Sequence, residues 1–89
     1  MLFLLYDFNR TSDRIEFRQK VESFLLSSTP YKYETMADEH RYSLTIYDVF
    51  FNFSALQLIH SIETIADSNR IECNLLQFCF TSPDISKRK

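Results

Sequence analysis

Apolar residues follow two different spacings along the chain, and these alternate in a fixed order. Short apolar or alternating runs at residues 2–8, 31–36, 42–47 and 71–80 are typical of strands. Two longer segments repeat apolar side chains every three or four residues, which is typical of helices. The pattern therefore predicts the order strand, helix, strand, strand, helix, strand.

The first predicted helix follows Asn9 and Arg10, and either Thr11 or Ser12 is a candidate N-cap because a hydroxyl can accept a bond from a free backbone N–H. The run from Ser27 to Pro30 is expected to end it. Its apolar stripe is predicted to consist of Phe17, Val21, Phe24, Leu25 and Ser28.

The second predicted helix has a strong start signal. Ser54 is expected at the N-cap with Gln57 three residues later, and Phe53 is placed to pack on Leu58, as in a capping box with a hydrophobic staple. Residues 67–69 are expected to end the helix. Its buried stripe is predicted to consist of Leu58, Ile59, Ile62, Ile65 and Ala66.

This element order predicts a ferredoxin-like α+β sandwich with the connectivity βαββαβ. Right-handed crossovers place both helices on one face of a four-stranded antiparallel sheet in the order 4-1-3-2. The prediction is a single domain over residues 1–81, followed by a flexible basic tail over residues 82–89.

The opposite face of the predicted sheet has no helix to cover it. The 89 residues include nine Phe and five Tyr, more than one helix–sheet interface is expected to bury. Bulky residues are predicted on both faces of the strands, with Leu75 opposite Leu76, Phe78 and Phe80 on the last one. We therefore expect a homodimer or another protein partner on the open face; the alternative is that the tail or the hairpin folds over it.

The absence of glycine excludes a glycine-rich phosphate-binding loop. Turns that need a positive φ are then expected at Asn9, Asn52 or Asn69, or at the Asp or Ser residues beside them. A net charge of −2 argues against non-specific binding along a nucleic-acid backbone.

Cys73 and Cys79 are predicted on one strand, about 20 Å apart at the rise of a β-strand, so they cannot form a disulfide with each other and are expected to be buried thiols. The apolar run at residues 1–5 is too short to span a membrane and lacks a basic leader. These features predict a cytoplasmic protein without membrane contact.

One aspartate, Asp7, ends the first predicted strand and is followed by arginines on the first helix. The opening segment comprises Leu4 to Phe8, Arg10, Asp13, Arg14, Arg18, Val21 and Leu25. It resembles the opening of the small ferredoxin-like subunit of CRISPR adaptation complexes, and it is similar to ribonuclease antitoxins of the GhoS kind. The similarity covers residues 2–80 as architecture and residues 4–25 as motif. It implies that Asp7 pairs with its dimer mate around a divalent metal.

Asp7 is the candidate catalytic and metal-binding residue. Two carboxylates that meet across a two-fold axis form a hard oxygen site for Mg²⁺ or Mn²⁺, and this site can activate water against a phosphodiester. The alternative is that Asp7 caps the strand-to-helix turn by accepting backbone N–H bonds from residues 9 or 10.

Arg10, Arg14 and Arg18 are the candidate binding residues for nucleic acid or for a partner, because arginines spaced four apart on a helix share one face. The alternative is a solvated face on which Arg18 pairs with Glu22. Whether the protein is an enzyme is left open. The two functions that remain are a dimeric accessory of a nucleic-acid-linked defence or toxin–antitoxin system, with weak metal-dependent endoribonuclease activity, and a non-enzymatic protein-interaction module or inhibitor from a phage or mobile element.

Overall fold

The computed structural model describes residues 1–81, so the predicted basic tail at residues 82–89 lies outside the described residues. The chain has the predicted element order, a ferredoxin-like α+β arrangement. Its elements are β1 (Leu2–Asp7), α1 (Thr11–Ser28), β2 (Tyr33–Ala37), β3 (Arg41–Ile46), α2 (Phe53–Ser68) and β4 (Asn74–Phe80).

The four strands form one antiparallel sheet in the order β2-β3-β1-β4, which is the predicted order 4-1-3-2 read from the other edge. Leu4 pairs with Leu44, and Tyr6 pairs with Tyr42. Because side chains of paired residues share a face of the sheet, the alternate buried positions of β1 and β3 form one continuous apolar surface beneath the helices.

The core is centred on Phe17 of α1, which is fully buried. Its ring centroid lies 4.9 Å from that of Tyr6, 5.4 Å from that of Phe8 and 5.8 Å from that of Tyr42, with edge-to-face or tilted geometry. The predicted stripes are largely confirmed: Phe17, Val21 and Leu25 are buried on α1, and Leu58, Ile59, Ile62 and Ala66 are buried on α2. Ser28, predicted in the first stripe, is exposed.

The start of α1 differs from the prediction. The N-cap is Arg10, and it makes no side-chain capping bond, so the predicted caps Thr11 and Ser12 are wrong. The Arg10 carbonyl accepts the backbone N–H groups of Asp13 at 3.1 Å and Arg14 at 3.2 Å, which begins the helical hydrogen bonding one residue early.

The start of α2 also differs. The N-cap is Asn52, whose side-chain oxygen accepts the backbone N–H of Ala55 at 2.9 Å. Ser54 therefore lies inside the first turn, and Phe53 is 73% exposed and forms no staple. Asn caps a helix as well as Ser does, and the two residues compete within three positions of the sequence.

Replacing Asn52 by Ala is expected to lower the free energy of unfolding by about 1 kcal/mol, because the Ala55 N–H loses its partner. Ser54→Ala is the matched control and should change it by less than about 0.5 kcal/mol. Urea denaturation of both variants measures the difference, and equal losses would contradict Asn52 as the cap.

The tight turns also differ from the prediction: positive φ angles occur at Asp48 (61°) and Arg70 (55°), and not at Asn9, Asn52 or Asn69. Asn52 is extended because it caps a helix start. Asn69 ends α2, with its backbone and side-chain N–H groups both bonded to the Ile65 carbonyl. The left-handed residue is therefore the next one, Arg70.

A bulge in β4 changes which of its side chains share a face. The register with β1 shifts between Leu5, which pairs with Gln77, and Tyr6, which pairs with Leu75. The register places three residues on the helix side of the sheet: Leu75, Phe78 and Phe80. The prediction that Leu75 opposes Phe78 and Phe80 is wrong because simple alternation does not include the extra residue.

The two cysteines are free, but their predicted placement is only partly correct. Cys79 lies in β4, whereas Cys73 precedes the first residue of that strand. Both are partly buried rather than fully buried, because Cys73 lies in the segment before β4 and Cys79 pairs with Phe3 on the open face of the sheet.

Candidate functional site

Asp7 ends β1 directly opposite Arg41 at the start of β3. The Arg41 Nε lies 3.5 Å from the Asp7 Oδ1, and the two side chains are 57% and 33% exposed. Water screens an ion pair this exposed, so its contribution to stability is small. No hydrogen bond from residue 9 or 10 to the Asp7 carboxylate occurs in the described part of the chain.

A surface pocket beside Asp7 is lined by polar groups of the β2–β3 turn. The Asp38 carboxylate accepts the backbone N–H groups of Arg41 at 2.8 Å and His40 at 3.0 Å, and these bonds hold the pKa of Asp38 below its usual value. The His40 Nδ1 lies 3.1 Å from the Phe8 carbonyl oxygen. The turn therefore places the Asp38 carboxylate and the His40 ring near the end of β1.

The three predicted arginines lie along α1 and its N-cap, where carboxylates bind two of them. Arg10 donates to Asp13 at 3.1 and 3.2 Å. Arg18 donates to Glu22 at 2.8 Å, the pair expected under the alternative of a solvated face, and to the Thr35 hydroxyl at 3.2 Å.

The side chain of Arg14 differs from those of the other two, because its Nε is buried without a hydrogen-bond partner among residues 1–81. The arginine that contacts Asp7 is Arg41, which sequence reasoning missed. The antiparallel register of the two central strands is the signal that would have found it.

Asp13 is a second residue whose contacts the sequence did not reveal. It is buried, and its Oδ2 accepts bonds from the Arg10 guanidinium and, at 3.4 Å, from the backbone N–H of Glu72. One carboxylate thus connects the start of α1 to the segment that leads into β4. Asp13 follows Arg10 by three residues, and this spacing was the only sign in the local sequence that the two side chains meet.

Three phenylalanines form a cluster, called the aromatic patch here: Phe51 and Phe78, which are exposed, and Phe80, which is partly buried. The Phe80 ring centroid lies 5.3 Å from that of Phe51 and 5.7 Å from that of Phe78. Phe51 is 68% exposed and Phe78 is 45% exposed. The patch lies on the helix side of β4, whereas Phe3 and Leu5 on the open sheet face are half-buried.

The patch adjoins an edge strand that carries no charge. β4 reads NLLQFCF and pairs only with β1 in the described sheet, so its outer backbone N–H and C=O groups have no strand partner there. Natural edges are commonly protected by lysine, proline or inward-pointing charge. The other edge, β2, contains Glu34 and directly follows Lys32.

Comparisons with protein-family models, with curated proteins and with solved structures found no match to this chain. Within residues 1–81, no three His, Cys, Asp or Glu side chains are grouped to hold a metal ion. No helix in the described range is both long and apolar enough to cross a membrane. The geometry thus defines a small ferredoxin-like domain with an uncharged edge strand and an exposed aromatic patch.

Proposed function

We propose that this protein is a homodimeric, non-enzymatic protein-interaction module that binds through β4 and the aromatic patch. The observation that carries the proposal is the exposure of Phe51 and Phe78 beside an uncharged strand edge. Burying this apolar area is favourable, and aromatic side chains are enriched at the centres of protein interfaces.

A second copy of the chain is the partner that β4 suits best. Two antiparallel copies of an edge strand can pair around a two-fold axis and continue the sheet, so that each supplies the backbone donors and acceptors that the other needs. Because β4 carries no charged side chain, two copies meet there without repulsion. The small size of the domain also favours dimerisation, because 89 residues bury only a limited core.

The resemblance of residues 4–25 to the small CRISPR adaptation subunit and to GhoS-type antitoxins supports a role as an accessory of a nucleic-acid-linked defence or toxin–antitoxin system. The net charge of −2 favours a protein target over a phosphate backbone. In this role β4 joins the two copies, and the dimer binds its protein target without chemistry of its own.

Sedimentation velocity at micromolar concentration tests the dimer. The parent protein is expected to sediment at about 21 kDa, twice the chain mass of 10.7 kDa. Phe78→Lys places a charge in the interface and is expected to raise the dimer dissociation constant about thirtyfold, or about 2 kcal/mol.

Leu26→Lys is the matched control, because Leu26 is 77% exposed on α1, an element that takes no part in the proposed interface. It should leave the dimer unchanged. A parent protein that remains monomeric at micromolar concentration, or equal losses in both variants, would refute an interface at β4.

A second candidate is a weak metal-dependent endoribonuclease that uses Asp7 with Arg10, Arg14 and Arg18 as phosphate contacts. The observation that favours it is the accessible Asp7 carboxylate beside a pocket that Asn9, Asp38 and His40 also line. A two-fold axis near this end of the sheet would bring two Asp7 carboxylates together for Mg²⁺ or Mn²⁺.

For this candidate, Asp7→Asn is expected to abolish metal-dependent cleavage of RNA and to cost at most about 1 kcal/mol of stability, because only an exposed ion pair with Arg41 is lost. Asp48→Asn makes the same chemical change at the other end of the sheet and should preserve cleavage. Gel assays with single- and double-stranded RNA measure both variants. Absence of cleavage by the parent protein would leave the interaction module as the function.

A further inference from the structure

A pocket of about 270 Å³ lies between the C-terminal half of α2 and the start of β4. It is at the other end of β4 from the aromatic patch, since Leu75 beside it pairs with Tyr6 whereas Phe80 pairs with Leu2. We call it the Tyr6 pocket. Its lining includes Tyr6, Phe17, Glu63, Asp67, Cys73 and Leu75.

The Tyr6 hydroxyl is the unexplained group of this pocket. Tyr6 is 3% exposed, and its hydroxyl has no hydrogen-bond partner among residues 1–81. Burial, then the Cys73 thiolate that forms only at high pH, and then the Glu63 carboxylate raise the pKa of Tyr6. Tyr6, Cys73 and Glu63 all line the same pocket. Tyr42, its neighbour in register, instead donates to Glu22 at 3.2 Å.

The rim of the pocket is negatively charged. Glu63 and Asp67 are exposed and lie four residues apart on α2, so they are neighbours on one face and repel each other. Neither forms an ion pair within the described range. Burial, and then the negative charges that include Asp67 and Glu63, raise the pKa of the Cys73 thiol to about 11, so this thiol is neutral at pH 7 and does not add to the charge.

We propose that the Tyr6 pocket binds an alkylguanidinium group, either as a free small molecule or as an arginine side chain of a partner protein. A guanidinium carries several N–H donors in a planar fork, which matches the two carboxylates and the hydroxyl. Its alkyl stem can pack on Phe17 and Leu75. The volume lies just below the range of drug-sized sites, which suits a ligand the size of one side chain.

Isothermal titration calorimetry with N-butylguanidinium chloride and with the peptide acetyl-Ala-Arg-Ala-amide tests the site. The double variant Glu63→Gln with Asp67→Asn is expected to weaken binding at least about tenfold, because two charged acceptors become neutral. The matched control is Glu39→Gln with Asp48→Asn, which makes the same change in net charge outside the pocket and should alter affinity less than about twofold.

Tyr6→Phe separates binding from stability. Removing a buried hydroxyl that has no partner should leave the melting temperature of the free protein unchanged or higher, while affinity for N-butylguanidinium falls. Binding of both ligands supports a small-molecule site, and binding of the peptide alone supports a partner's arginine. If neither ligand binds, or if neutral N-butylurea binds equally well, the proposal is overturned.

Discussion

Phe17→Ala is expected to lower the free energy of unfolding by about 4 kcal/mol, the largest loss among the single changes considered. The ring is fully buried and contacts three other aromatic rings, those of Tyr6, Phe8 and Tyr42. Its removal opens a cavity beneath both helices and ends the edge-to-face contacts. Because a domain of this size is stable by only about 5–15 kcal/mol, the variant should unfold at much lower urea concentration.

Phe53→Ala is the control for that change, since it removes the same ring from a position that is 73% exposed. Its cost should be below about 0.5 kcal/mol. Circular dichroism during urea titration measures both variants. Losses of similar size at the two positions would contradict the assignment of Phe17 to the centre of the core.

Asp13→Ala is expected to cost about 2 kcal/mol of stability, the second-largest loss of stability considered. The substitution leaves the backbone N–H of Glu72 without its acceptor and the Arg10 guanidinium, which is 62% exposed, without its carboxylate partner. Because Asp13 connects the start of α1 to the chain before β4, amide hydrogen exchange should also rise in β4.

Ser12→Ala is the matched control, because Ser12 is exposed and makes no side-chain capping bond to α1. It should be neutral within about 0.5 kcal/mol. If Ser12→Ala were the more damaging of the two, the helix would begin at the hydroxyl cap that the sequence first suggested.

The order of the strands and helices could be predicted because it follows from the spacing of apolar residues along the chain. The run from Leu2 to Asp7 and the stripe through Phe17, Val21 and Leu25 have different apolar spacings, and each spacing allows one kind of element. Right-handed crossovers are then compatible with only one order of the strands in the sheet, and the structure has this order.

Helix starts were less accessible to prediction, because several polar residues compete for each one. Both Asn52 and Ser54 have side chains that can cap α2, and the sequence favoured Ser54 because Gln57 completes a capping box. In the structure the cap is Asn52, whose side-chain oxygen accepts the Ala55 N–H. At α1 the Arg10 carbonyl begins the helix without a side-chain cap.

The sequence by itself determined the element order, most of the core and the position of Asp7 at the end of the first strand, because each depends on neighbours within a few residues. Tertiary structure decided which groups meet: Arg41 with Asp7, Asp13 with Glu72, and Tyr6 with Glu63 around one pocket. Such pairings depend on strand register, and one extra residue in β4 reverses which side chains share a face. The physical reason is that local spacing specifies an element, whereas register is specified by the packing of elements that are distant in sequence.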